Sequence, residues 1–244
     1  MKEKFDKYIN KNPFTNYSDL TYKILSEQII KLKIKPGTIL NESNISNNLN
    51  ISRTPVNAAI KKLIKSGLAT KDDNEKFTKV SELNMYHLNQ YYNSRMAIEP
   101  YCAMMAAKNF DDKQIEKLEI LTSNIKKSCD IDNLSSDLIN KYIENEIEFH
   151  KFIVIGNENK YLNQMFKVTF DIGLRYRYYM LNFIAKNQKN INIKEFLQDS
   201  IKFHESIFFS IKHHLSKIAY DQMKEDINRM IPLILDSNFY IFAK

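Results

Sequence analysis

Four side chains in the C-terminal half of the chain have the types and spacing of metal ligands. Glu146 and His150 are four residues apart, and His204 and Asp226 lie on two later segments. Each interrupts an apolar stripe that repeats with helical periodicity. A buried carboxylate or imidazole needs a partner because an unpaired charge in a core is very costly. If the three helices face one another, one divalent cation (Zn²⁺, Mn²⁺, Ni²⁺ or Fe²⁺) satisfies all four groups. The alternative is that the histidines are hydrogen-bonded core residues and the acids lie at the solvent edge.

These stripes belong to a long helical region. From about Met85 to Asp236 the sequence shows no strand alternation, only helical patterns with short breaks. The breaks fall near residues 110–111, 130–133, 156–157, 186–190 and 214–216. Short connections place consecutive helices antiparallel. We therefore predict an antiparallel all-α bundle of about six helices, each of roughly 15 to 27 residues, as a domain over residues 85–240.

The N-terminal third differs from this region in charge. Residues 1–80 hold 15 Lys and Arg against 8 Asp and Glu, a net charge of +7, whereas residues 81–244 hold 21 of each sign. A basic module joined to a neutral one indicates a polyanion-binding head on a body with another task. The alternative is a basic face that only aids solubility.

The pattern of the basic third predicts a winged helix-turn-helix domain over residues 1–80. A helix is followed by a Pro36-Gly37 break, and a short helix capped by Asn41 leads through a turn to a helix capped by Ser52. Two short strands follow Gly67. The predicted elements are residues 20–33, 42–49, 53–66, 68–70 and 77–80. This order is that of a winged helix-turn-helix, so the fold class is mainly α.

The residues of this module resemble the GntR family of bacterial regulators. The matching positions are Pro36-Gly37, Leu40-Asn41-Glu42, Ile45, Ile51-Ser52-Arg53-Thr54-Pro55-Val56, Ala59-Ile60, Leu63 and Gly67-Leu68. The resemblance implies that the second helix of the motif enters the major groove of an operator and that the wing lies near the minor groove. The DNA-binding residues that we predict are Ser43, Ser52, Arg53, Thr54, Asn57, Lys61 and Lys76.

Three positions depart from the usual pattern of that family. Ser43 and Asn57 stand where the family commonly has arginine, and Asn74-Glu75-Lys76 replaces a glycine-containing wing tip. Of the three arginines that the family commonly has in this module, the chain keeps only Arg53. Arginine reads guanine and asparagine reads adenine, so we expect an operator that is shifted from G·C towards A·T.

The helical body is similar to the FCD domain of the FadR subgroup. The residues that match are Arg95-Met96-Ala97-Ile98-Glu99, Glu146, Phe149-His150, Gly156-Asn157, His204 and Ile207. Many members bind a divalent metal through an Asp and a His four residues apart, a later His, and a His twenty-two residues further on. The resemblance implies the same role for Glu146, His150, His204 and Asp226, although Glu146 replaces the Asp and Asp226 replaces the last His.

The resemblance also implies a small organic acid beside the metal. The chain has 31 Lys and only five Arg, so each Arg is a candidate for a site that needs a planar, bidentate cation. We predict Arg95, Arg175 and Arg177 as carboxylate-binding residues. For Arg95 the alternative is a surface salt bridge with Glu99, one helical turn away.

The sequence therefore predicts a homodimeric transcription regulator that binds double-stranded operator DNA under the control of a small ligand. No apolar run approaches a membrane span, and Cys102 and Cys129 lack metal-type spacing, which favours free buried thiols in the cytoplasm. One alternative is a metal-dependent helical enzyme with a DNA-binding appendage, against which no nucleophile–base pair or phosphate loop is visible. Another is an architectural DNA-binding protein with a purely structural body.

Overall fold

Helices dominate a computed structural model of the chain, which describes residues 1–71, 77–129, 135–186 and 193–230. These residues form two compact units, Met1–Leu83 and Asn84–Lys244. The first unit contains α1 (Lys2–Lys11), α2 (Tyr17–Ile30), α3 (Glu42–Leu49), α4 (Arg53–Lys65), β1 (Ala69–Thr70) and β2 (Lys79–Val80). The second contains α5 (Met85–Asn109), α6 (Asp112–Lys127), α7 (Ser136–Gly156), α8 (Lys160–Lys186), α9 (Ile193–Lys212) and α10 (Ser216–Asn228).

The predicted order of a winged helix-turn-helix is confirmed in the first unit. The Asn41 side chain accepts a hydrogen bond from the backbone N–H of Asn44 and begins α3. Gly67, at φ +75°, lets the chain leave α4 in the left-handed region. The strands β1 and β2 then pair antiparallel. The core between these elements consists of Leu25, Ile29, Leu49, Val56, Leu63 and Leu68, which are fully or almost fully buried.

Details of the helix ends differ from the sequence prediction. The helix α2 begins at Tyr17 rather than at residue 20, because the Asn16 side-chain oxygen accepts hydrogen bonds from the backbone N–H groups of Ser18 and Asp19 and caps the helix. Ser52 occupies the N-cap of α4 without a capping side-chain hydrogen bond. The sequence did not predict α1, whose single fully buried side chain is Phe5.

The second unit is the predicted all-α bundle. The helix α5 packs against α7, α8, α9 and α10, while α6 packs against α7 and α9. The helix ends confirm the predicted breaks after Asn109, Gly156 and Lys212. The predicted break at residues 130–133, that at residues 186–190 from residue 187 onward, and the extension of the last helix beyond 230 lie outside the described residues. None of the helices in the described part of the chain is both long and apolar enough to cross a bilayer.

Candidate metal centre and nucleic-acid interface

Three helices bring the four predicted ligands together in the second unit. The helix α7 supplies Glu146 and His150, α9 supplies His204 and α10 supplies Asp226. One ligand atom from each lies within 4.8 Å of all the others, and all four residues are buried. Each occupies its predicted interruption of an apolar stripe, so the core of the bundle surrounds a polar centre.

The spacing of the ligand atoms fits a metal ion. His150 Nε2 lies 3.2 Å from His204 Nε2, 3.4 Å from Glu146 Oε1 and 3.3 Å from Asp226 Oδ2. Metal–nitrogen and metal–oxygen bonds of about 2.0–2.1 Å, arranged tetrahedrally, separate the ligand atoms by about 3.3 Å. The three distances around His150 Nε2 therefore match the edges of a coordination shell.

The outer nitrogen of each imidazole is already used as a donor. His150 Nδ1 lies 2.8 Å from Glu99 Oε2, and His204 Nδ1 lies 2.7 Å from the backbone oxygen of Ser200. A carboxylate and a carbonyl only accept hydrogen bonds, so both Nδ1 atoms carry the proton. In the neutral tautomers the two Nε2 lone pairs then face each other at 3.2 Å. A cation between them, either a proton or a metal ion, is needed to hold this arrangement.

Protonation of the two histidines is unequal. Burial opposes the charged form of His150, but the Glu99 carboxylate offsets this and leaves the pKa of His150 raised. Burial, opposed by the Asp226 carboxylate and reinforced by the neighbouring His150, lowers the pKa of His204 to about 4. The Nε2 lone pair of His204 is therefore available to a metal ion at neutral pH.

Each ligand carboxylate turns one oxygen to the centre and the other to an arginine. Glu146 Oε2 lies 3.2 Å from Arg177, and Asp226 Oδ1 accepts from Arg229 Nε at 2.9 Å. Burial alone would raise the pKa of both acids, but their arginine partners lower the pKa of Glu146 and hold that of Asp226 well below its usual range. Both carboxylates are therefore ionised, as metal ligands must be.

Glu99 links the centre to a buried arginine. Its two carboxylate oxygens accept hydrogen bonds from Arg95 at 2.7 and 2.9 Å, and Oε2 also accepts from His150. The side chains of Arg95 and Glu99 are only 4% and 2% exposed, so the alternative of a surface salt bridge is wrong. This carboxylate fixes the tautomer and orientation of His150, as the outer partners of metal-binding histidines do.

The arginines predicted to bind an effector are all buried, but they do not form one cluster. Arg95 pairs with Glu99, and Arg177 lies beside Glu146 and 4.0 Å from Glu99. Arg175 is 3% exposed. Since two residues turn a helix by about 200°, Arg175 faces a different side of α8 from Arg177. The structure thus brings two of the three predicted arginines to the four predicted metal ligands.

Three of the seven predicted DNA-binding residues lie at the start of α4. Ser52, Arg53 and Thr54 are exposed at its N-terminus, and Lys61 is exposed two turns further on. The free backbone N–H groups at a helix N-terminus, and the hydroxyl and guanidinium groups of these three side chains, can donate hydrogen bonds to DNA phosphates and base edges. Ser43 is half-buried on α3, and Lys76 lies outside the described residues.

Asn57 has a partner within its own unit. It is half-buried on α4, and its Nδ2 donates a hydrogen bond to Glu42 Oε1 on α3 at 2.8 Å. The amide is therefore oriented by the other helix of the motif. This contact was not predicted from the sequence.

Comparisons with known proteins agree with both halves of this description. The profile "Bacterial regulatory proteins, gntR family" matches residues 18–75, and the profile "FCD domain" matches residues 90–229. The chain belongs to the gntR family and carries an FCD domain. It is a transcription regulator with a DNA-binding domain of the gntR type.

Relatives of this gntR-family chain are also regulators. It is 24% identical over 207 residues to the uncharacterized HTH-type transcriptional regulator YdhC of Bacillus subtilis, covering 85% of this chain and 86% of YdhC. It is 24% identical over 216 residues to the HTH-type transcriptional repressor GlaR of Escherichia coli, covering 87% and 93%. The fold is similar to that of E. coli McbR/YncC, with a TM-score of 0.72 at 15% identity, covering 92% of this chain and all of that one. YdhC and GlaR are transcriptional regulators by name, and the gntR family model is one of regulatory proteins, so the enzyme alternative is not supported.

Sequence reasoning missed three residues of this FCD domain that position the side chains predicted to bind a metal. They are Glu99, Ser200 and Arg229. Two of them carried a signal: Arg229 is one of five arginines and lies three residues after Asp226, and Glu99 lies one turn after Arg95. Ser200 acts on His204 through its backbone oxygen, which any residue type supplies, so no sequence signal was available.

Proposed function

We propose that this regulator binds its operator as a homodimer and that a small anionic ligand, held beside a divalent metal in the FCD domain, controls the affinity for DNA. Control of this kind requires the ligand to bind more tightly to one arrangement of the two DNA-binding heads than to the other. The observation that supports metal binding most strongly is that His150 Nε2 and His204 Nε2 face each other at 3.2 Å, while both Nδ1 protons are donated elsewhere, to Glu99 and to the backbone oxygen of Ser200.

Glu146, His150, His204 and Asp226 would hold the metal. When bound, the ion supplies a buried positive charge and open coordination positions for oxygen atoms of a ligand. Two nitrogen and two oxygen donors suit Zn²⁺, Mn²⁺, Ni²⁺ or Fe²⁺. The chain itself supplies orientation: Glu99 and Ser200 fix the two imidazoles, and arginines fix the two carboxylates.

The balance of buried charge favours an anionic ligand, such as a dicarboxylate. Three arginines (Arg95, Arg177 and Arg229) face three carboxylates (Glu99, Glu146 and Asp226) within the described residues of the centre. With neutral histidines these charges cancel, so a divalent metal leaves an excess of two positive charges. Buried charge of that size is stable only when it is compensated, and a dianion compensates it.

Two donors beside the centre are left for such a ligand. The Nε of Arg177 and the hydroxyl of Tyr92 are buried and have no hydrogen-bond partner within the described part of the chain. The guanidinium carbon of Arg95 lies 5.6 Å from the centre of the Tyr92 ring. Since buried polar groups are nearly always hydrogen-bonded, these two groups are suited to the oxygen atoms of a carboxylate.

Metal content and thermal stability test the metal site. Purified protein is stripped with chelator, incubated with each of the four metals, desalted and analysed by elemental mass spectrometry and calorimetry. We expect one metal per chain and a raised melting temperature, because a ligand that binds only the native state adds about 2.7 kcal/mol at a hundred times its Kd. His204→Ala should abolish both effects. The matched control is His213→Ala, which removes an exposed histidine near the end of the same segment.

Two results would contradict this site. One is stripped wild-type protein that takes up none of the four metals. The other is a His204→Ala variant that binds metal as the control does.

For the ligand, titration calorimetry with succinate should show binding to the metal-loaded protein and weaker binding to the stripped protein, because the metal contributes two of the charges that the dianion offsets.

Selection from a random DNA library tests operator binding. Wild-type protein should select sites with two-fold symmetry, as expected for a dimer. Arg53→Ala should remove most of the preference for the selected site over scrambled DNA while the fold is kept, because Arg53 is exposed at the start of α4. Lys65→Ala, at the other end of α4, is the control and should keep the preference. Equal protection of the site by wild type and Arg53→Ala would refute the role of Arg53.

A further inference from the structure

The helix α1 lies before the first residue that the gntR profile matches, yet it is firmly attached to the DNA-binding unit. Phe5 is 3% exposed and its ring meets that of Tyr17 edge-on at 5.6 Å. Lys4 forms an ion pair with Glu27 on α2, and α1 also packs against α3. The side chains on its outer surface therefore have fixed positions in the unit that binds DNA.

One side of α1 forms a basic groove with a volume of about 480 Å³. The groove is lined by Glu3, Lys4, Lys7, Tyr8 and Lys11. Because Lys4 is paired with Glu27, the ammonium groups of Lys7 and Lys11 are set against one lining carboxylate, that of Glu3. A fourth ammonium group, that of Lys23 on α2, lies 4.5 Å from the centre of the Tyr8 ring. Lys7 and Lys11 are exposed, one helical turn apart. This positive surface contains none of the DNA-binding residues predicted from the sequence.

We infer that this groove is a second DNA-binding surface, which holds the phosphate backbone of the operator through Lys7 and Lys11. The three lysines that line the groove span about 10 Å of helix axis, over which one strand of DNA presents about three phosphates. The excess of positive over negative charge in the chain lies in its first 80 residues, so the polyanionic partner of the groove is the DNA that this unit binds. Lysines act on phosphates as point charges and carry no base recognition.

The inference rests on operator binding by the same unit, and the salt dependence of binding tests it. The full-length double variant Lys7→Ala/Lys11→Ala is compared with wild type on the DNA that wild type selects, by fluorescence anisotropy over a range of salt. Each phosphate contact contributes about 0.9 to the slope of log affinity against log salt. The slope should therefore fall by about 1.8 per protomer, and the preferred sequence should not change.

The control separates a local contact from the loss of net charge. Lys113→Ala/Lys117→Ala removes two exposed lysines with the same spacing from α6 in the other unit. We expect the wild-type slope for this variant. The inference is overturned if the α1 variant keeps the wild-type slope, or if both double variants lose the same amount. Failure of wild type to select any site would instead refute the proposed operator binding.

Discussion

Replacement of Glu99 by glutamine tests whether this carboxylate orients the metal ligand His150. The wild-type side chain accepts two hydrogen bonds from Arg95 and one from His150 Nδ1. Glutamine has nearly the same shape, but its one oxygen cannot replace both carboxylate oxygens, and its NH₂ group faces donors. Two separate losses should follow, one in stability and one in metal affinity.

The loss of stability comes from Arg95. Its side chain is 4% exposed, and removal of one partner of a buried ion pair costs about 3–5 kcal/mol. For a unit of this size, 1 kcal/mol shifts the melting temperature by about 2–4 °C, so we expect a fall of roughly 10 °C in chelator. The loss of metal affinity comes from His150, since an outer partner of a metal-binding histidine is worth about 10–100-fold.

A second variant distinguishes the two effects. In Arg95→Met/Glu99→Met both charges are replaced by apolar groups, which is often nearly neutral for stability. It should melt close to wild type in chelator and still bind metal about 10–100-fold more weakly. Glu148→Gln, an exposed position two residues before His150, is the control. Calorimetry and competition with a chelator provide the measurements. Wild-type metal affinity in both Glu99 variants would refute the reasoning.

Two further variants test the DNA interface and the packing of α8. Asn57→Arg should shift the selected half-sites towards guanine at one position, with about 1–3 kcal/mol of discrimination against the other bases. Library selection with both proteins decides this. Identical preferred sequences would show that Asn57 reads no base. Gly173→Ala should lower the urea midpoint, because a Cβ at this position would lie 2.0 Å from the Tyr91 ring. Overpacking costs about 1–3 kcal/mol, more than the ~1 kcal/mol gained in helix propensity. The second change Tyr91→Leu should recover the midpoint, and an unchanged midpoint in Gly173→Ala alone would contradict this packing.

The DNA-binding unit was largely predictable from the sequence because its signals are local. The Asn41 cap, Gly67 and the apolar spacing of α3 and α4 each act within a few residues, and the structure places these elements as predicted. The exception is α1. Phe5, Tyr8 and Ile9 do recur at helical spacing and were overlooked, but only Phe5 is fully buried. The contacts of this helix with α2 and α3 are tertiary and carry no local sequence signal.

The four polar residues of the candidate metal centre were predictable for a related reason. A polar residue in an apolar stripe is visible in one helix at a time, so Glu146, His150, His204 and Asp226 were identified from spacing and family resemblance. Their approach to within 4.8 Å depends on the packing of three helices.

By itself, then, the sequence determined the two units, the order of their elements after α1 and the four polar positions of the candidate metal centre, because periodicity, capping and charge act over short distances along the chain. Only the tertiary structure decided that Arg95 and Glu99 form a buried pair and that Glu99 and Ser200 direct two imidazoles at one point. An Arg and a Glu one turn apart give the same sequence pattern on a surface and in a core. Burial, which depends on the other helices, changes that pair from a weak surface contact into a part of the site.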